Sequence, residues 1–144
     1  MATTFEWGPV RAIETIISLT SAIADSSYIS TTTAIANGTS GLYPYAAFEF
    51  NTTSLSAATG GYADLWLLPT MDGTNFADTA KFTQTNHLIG TFPLSTEATA
   101  AQRTIIDLIT IPPLDFNVTL RNKAGASLTS QTTIKMTRYY DQGV

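Results

Sequence analysis

The chain contains no cysteine. Disulfides and thiolate metal ligands are excluded, so packing and hydrogen bonds alone must hold the fold. Charge is scarce as well. Asp, Glu, Lys and Arg make up 12% of the 144 residues, against an ordinary share of ~25%. Seven residues are Lys or Arg, spread along the chain, and the formal net charge is −4. Nucleic-acid binding calls for a basic patch, so no direct nucleic-acid partner is expected. No run approaches the ~18 consecutive apolar residues of a membrane span, and no membrane partner is expected. Residues 1–7 lack the basic start and apolar centre of a signal peptide, which points to a product made in a cytoplasm.

Serine and threonine fill the place of the missing charges. Threonine runs from Thr3 and Thr4 through residues 31–33 to Thr137. Its branched Cβ suits a pleated strand, and its hydroxyl gives a polar surface without charge. Charged residues are depleted at the centres of protein interfaces, so this composition fits a protein that packs against neighbours. The apolar share of 44% is ordinary. A chain of this length forms one domain and buries roughly two-thirds of its unfolded surface.

Short runs with strand character alternate with Gly, Pro, Asn, Asp and Ser. They cover residues 11–19, 28–35, 42–52, 62–68, 87–94, 103–111, 114–121 and 132–139. In the first, Ile13, Ile16 and Ile17 also fit a helical spacing, and the β-branched content favours a strand. Residues 114–121 alternate cleanly, with Leu114, Phe116, Val118 and Leu120 on one side. Residues 62–68 are apolar on both faces and belong in a covered, central strand. Residues 98–103 allow one helical turn at most. The expected fold is all-β: an antiparallel β-sandwich, jelly-roll-like or immunoglobulin-like, of about eight strands. Residues 11–144 form its single domain. Residues 1–10 form an extended N-terminal arm, because Gly8-Pro9 separates Phe5 and Trp7 from the first strand.

Chemistry is hard to assemble from these residues. His87 is the only histidine, so a Ser/His/Asp triad or a His-based metal site would have to use it; a loop or surface role is the plainer reading. Asp64, Asp107 and Asp115 lie on or beside strands, but strand spacing alone brings no two of them together. Pairing with Arg103 or Arg121, or accepting turn amides, suits them better. The segment Asp72-Gly73-Thr74-Asn75 lacks the alternating ligands of a calcium loop and reads as a turn. Asn37, Asn51 and Asn117 start Asn-x-Ser/Thr triplets, which a Thr-rich chain produces by chance. Tyr43, Tyr45, Tyr62, Trp66, Phe76, Tyr139 and Tyr140 offer a sugar platform, with core packing and interface anchoring as the favoured uses. No catalytic residue, metal or cofactor is expected, and the chain is read as a structural or binding protein.

The segment Tyr62-Ala63-Asp64-Leu65-Trp66-Leu67-Leu68-Pro69-Thr70-Met71-Asp72-Gly73-Thr74-Asn75-Phe76 resembles a strand-and-turn of small tailed-bacteriophage virion proteins. So do Leu88-Ile89-Gly90-Thr91-Phe92-Pro93-Leu94, Pro112-Pro113-Leu114-Asp115-Phe116, residues 121–128 and the ending Arg138-Tyr139-Tyr140-Asp141-Gln142. The resemblance spans residues 42–142 and carries over no catalytic residue. It implies a virion component, first of all a head decoration (cement) protein on the capsid surface. Its partners would be the major capsid protein and copies of itself, with a trimer as the oligomer to test. A tail, neck or head-fibre-base protein is the neighbouring alternative, and a carbohydrate-binding module is the alternative of another class. The residues expected at protein interfaces are Phe5, Trp7, Tyr139 and Tyr140.

Overall fold

The computed structural model describes residues 5–7, 12–38, 43–76, 88–97 and 100–143. These form strands β1 (Phe5–Trp7), β2 (Glu14–Ser18), β3 (Tyr28–Ser30), β4 (Tyr45–Leu55), β5 (Tyr62–Pro69), β6 (Leu88–Pro93), β7 (Ala100–Thr110), β8 (Phe116–Lys123), β9 (Thr133–Tyr139) and β10 (Asp141–Gly143). No helix occurs among the described residues. One antiparallel sheet has the order β2-β9-β4-β7, and the second has the order β3-β8-β5-β6. Strands β1 and β10 pair as a separate two-stranded ribbon. Only the β5–β6 link stays within a sheet; every other link from β2 to β9 crosses between them. This strand order is that of a jelly roll, which decides between the two sandwiches the sequence allowed.

Period-two alternation explains the layers. In β4, Ala46, Phe48, Phe50 and Thr52 are buried, while Tyr45, Ala47, Glu49 and Asn51 are half-buried on the other face. Ile134, Met136 and Arg138 of β9 share the inner side. The facing sheet contributes Ala63, Leu65 and Leu67 of β5 and Phe116, Val118 and Leu120 of β8. Across the gap, the rings of Phe50 and Phe92 lie 5.4 Å apart. Burying one such ring is worth roughly 2–3 kcal/mol, which makes these rows the main stabilising element. β5 is also buried on its outer face, where Asp64, Trp66 and Leu68 lie.

Strand bounds shift at several places, β10 lies outside the expected strand runs, and two of the differences have a visible cause. The run 28–35 yields only Tyr28–Ser30 as strand, and Ile35 rejoins through a single bridge to Phe116. Thr31 is the reason. Its hydroxyl donates to Asn117 Oδ1 at 3.1 Å and accepts from the Val118 amide at 3.2 Å, so a side chain takes over part of the ladder. At the other extreme, β7 begins at Ala100, inside the stretch allotted to a helical turn. Pairing of Ala100 with Leu55 and Gln102 with Thr52 overrides the local preference of alanine.

A buried asparagine braces each end of the sandwich. Asn122 Nδ2 donates to the carbonyls of Ile23 (3.1 Å) and Ala126 (2.7 Å), and its Oδ1 accepts from the Ala124 amide (2.9 Å). At the opposite end, Asn37 Nδ2 donates to the carbonyls of Tyr43 (3.1 Å) and Pro112 (2.8 Å), and its Oδ1 accepts from the Tyr43 amide (3.1 Å). Gly125 closes the turn beside Asn122 with φ +69, and a Cβ there would sit 2.5 Å from Ala58 Cβ. Only glycine meets both conditions.

Asn37→Ala and Asn122→Ala are each expected to lose about 2 kcal/mol or more in urea unfolding, because each strands several buried backbone groups. Ser56→Ala, in an exposed loop, is expected to change stability by less than about 0.5 kcal/mol.

Candidate functional site

The outer face of the β2-β9-β4-β7 sheet carries the most distinctive surface among the described residues. One row crosses all its strands in register: Thr15, Lys135, Glu49 and Ile105. The Glu49 carboxylate lies at its centre, with its side chain only 12% exposed. Glu49 Oε2 accepts from Arg103 Nε at 2.7 Å and pairs with Arg103 Nη2 at 2.6 Å, while Lys135 Nζ stands 4.0 Å from Oε1. The fork-like contact with Arg103 is the strong one. Both cations are more exposed than the carboxylate they flank, so the cluster presents an excess of positive charge outward.

Apolar groups stand around this cluster. Ile13 and Ile105 are 72% and 59% exposed. Between them lies a groove of about 260 Å³ whose lining includes Ala47 and Thr137. A second row brings Tyr45 and Tyr139 together, with their rings stacked at 5.8 Å. Asp107 and Leu108 form a β-bulge opposite Ala47, and Leu108 takes a left-handed backbone with φ 52. That conformation is unfavourable for leucine by roughly 1–2 kcal/mol. The Leu108 amide donates to the Tyr139 hydroxyl at 3.0 Å, which ties the bulge to β9. The bulge leaves the Leu108 side chain exposed on this surface.

The four interface residues expected from sequence lie in β1 and at the end of β9. Tyr139 belongs to the outer face just described. Tyr140 lies beside Tyr43, with ring centroids 6.0 Å apart, and the Arg138 guanidinium sits 5.4 Å from the Tyr43 ring. Phe5 and Trp7 lie in β1, whose backbone pairs with β10 directly after Tyr140, Trp7 opposite Asp141. Their side chains lie outside what the structure describes. Sequence reading named Tyr45 among the candidate aromatics and missed Ile13, Ile105 and Leu108. A signal was present: Ile105-Ile106 and Leu108-Ile109 place apolar residues on both faces of one strand.

Each carboxylate singled out in the sequence has a separate surrounding. Asp64 pairs with Arg121, whose Nε donates at 3.2 Å, and accepts from the Thr91 hydroxyl at 2.9 Å. Asp115 Oδ1 accepts from the amides of Asn37 and Gly38, both at 2.9 Å. Asp107 is exposed on the β7 bulge. Asp72 accepts from the amides of Asn75 and Thr74, from Asn75 Nδ2 and from the Thr70 hydroxyl, the bonding of a turn. These donors, those of Asn75 first, hold its pKa well below the usual carboxylate range. His87 lies outside the described residues. Among the described residues, no group of three or more His, Cys, Asp or Glu is placed to hold a metal ion. No protein-family model matches the chain, and a search of curated proteins found no match.

Tyr139→Phe leaves the Leu108 amide without its acceptor. It is expected to lose about 1 kcal/mol and to speed amide exchange at Leu108. Because the Asp72 pKa is depressed on folding, its contribution is full above its unfolded pKa of ~4 and is lost as pH falls below that. Asp72→Asn is therefore expected to lower the melting temperature at pH 7, and the gap to the parent should narrow in strongly acidic buffer.

Proposed function

We propose that the chain is a non-catalytic structural protein of a phage virion. It binds the outer surface of the capsid and steadies contacts between capsomers. The observation that carries this reading is the outer face of the β2-β9-β4-β7 sheet. There Ile13, Ile105 and Leu108 stand exposed around the Glu49, Arg103 and Lys135 cluster and a stacked tyrosine pair. A surface of this kind, with exposed apolar groups around one small ion cluster and no dense charge, suits burial against a protein. The pairing of β1 with β10 brings the arm backbone next to Tyr139 and Tyr140, so the arm adjoins this end of the face. The jelly roll serves in viral capsid proteins and in lectins, and the architecture alone selects neither. The resemblance of residues 42–142 to phage virion proteins tips the balance.

A carbohydrate-binding module is the second reading, favoured by the stacked pair of Tyr45 and Tyr139 on a sheet face. A glycan array separates the two: binding to a defined sugar supports the module, and a blank array removes it.

The purified protein is expected to cosediment with expanded, DNA-free phage heads at a fixed, saturable ratio to the major capsid protein. Ile13→Asp is expected to weaken that binding by roughly tenfold or more. Deleting residues 1–8 should also weaken it while leaving the sandwich folded. No cosedimentation by the folded parent protein would overturn the capsid reading.

A further inference from the structure

Strand β7 ends its sheet, hydrogen-bonded to β4 alone among the described strands. It is eleven residues long and contains no proline. Such an edge is a template for pairing unless charges or a bulge blunt it. β7 has both, but its charges are placed in a telling way. Arg103 and Asp107 are equally distant from Ile105 in the sequence; Arg103 and Ile105 share the outer face by period-two alternation, and Asp107 opens the bulge opposite Ala47 of that same face.

We infer that β7 is a self-complementary dimer edge, with a second copy of this chain as its partner. Two β7 strands pair antiparallel about a twofold axis through Ile105. In that register Ile105 meets Ile105 of the second copy, and Arg103 meets its Asp107 on both sides of the axis. Directly opposed Cβ atoms in such pairs lie about 4.5–5.5 Å apart, within reach of an Arg–Asp contact. A shift by one residue puts the charges on opposite faces. A shift by two sets Arg103 and Asp107 opposite apolar residues. The charge balance agrees. Arg103 and Lys135 flank one carboxylate, Glu49, in each copy, and Asp107 of the second copy supplies the missing negative charge. The guanidinium has donors enough for both carboxylates.

Regular pairing of β7 ends at Ile106, so Asp107 makes its charged pair from the first position of the bulge, which bounds the paired segment. The interface is isologous, so it closes at two copies and does not propagate. It also joins the two outer sheet faces, bringing the grooves beside Ile105 together across the axis.

The test is sedimentation velocity of the full chain over a concentration series, with far-UV circular dichroism to confirm folding. The parent protein is expected to be a dimer. Asp107→Lys sets Lys against Arg103 twice, and Arg103→Glu sets Glu against Asp107 twice. Each is expected to raise the dissociation constant by roughly tenfold or more. Mixing the two variants is expected to restore a dimer, because every opposed pair in the mixed species is again of opposite sign. Should Arg103→Glu disturb the fold through Glu49, the exposed Asp107→Lys variant still decides. A monomeric or trimeric parent, an undiminished dimer of Asp107→Lys, or a failure of two folded variants to associate would each overturn the inference. The measurement involves no capsid, so its result is independent of the virion reading.

Discussion

The crossing of the chain between sheets is the constraint on which this structure depends. Nearly every link from β2 to β9 crosses from one sheet to the other, and the backbone polar groups of a crossing leave the strand ladders. Such groups must find partners or cost free energy. Asn37 and Asn122 meet that demand, each from a buried position with an amide that both donates and accepts. Asp115 extends the first network by receiving the amides of Asn37 and Gly38. Arg138 adds a buried cation at the same end, where Nη1 donates to the Ala36 carbonyl at 2.5 Å and Nη2 lies 3.7 Å from Glu14. The apolar rows of β4, β5, β8 and β9 hold the sheets together, and these polar braces hold the connections that make the strand order possible.

The small number of charges is consistent with how they are arranged. Asp64 with Arg121, Glu49 with Arg103 and Glu14 with Arg138 each join neighbouring strands. Between them, hydroxyl groups do what charges do elsewhere. Thr132 donates to Thr52 at 3.1 Å and Thr52 lies 3.3 Å from Thr129, while Ser30 and Thr119 meet at 2.7 Å across β3 and β8. Neutral hydroxyl pairs are far less expensive to bury than ions, so a threonine-rich chain can place polar groups deep in a sandwich.

Much of the layer pattern was legible in the sequence, because alternation is a local signal. Phe116, Val118 and Leu120 announced the inner face of β8, and the doubly apolar run of β5 announced its burial. Strand order was not legible, since it depends on pairings such as Glu49 with Lys135 between residues far apart in the chain. Asn37 shows a further limit. By sequence it begins a glycosylation triplet; in the fold its side chain is enclosed and fully bonded. Tyr139 was found for its aromatic character near the end of the chain. Ile13, Ile105 and Leu108 were hidden because an apolar residue in a strand is ordinarily assigned to the core, and nothing local marks the face that stays uncovered.

The β1–β10 ribbon sets how the molecule responds to force. Phe5 pairs with Gly143 and Trp7 with Asp141, so Phe5 and Gly143 stand side by side at one end of the ribbon. Tension applied through these two residues would load the ribbon in an unzipping geometry, one pair at a time, and not in shear. The ribbon yields first and releases slack, and the sandwich is strained only afterwards. Two three-residue strands thus stand in series with the sandwich as the part that force reaches first.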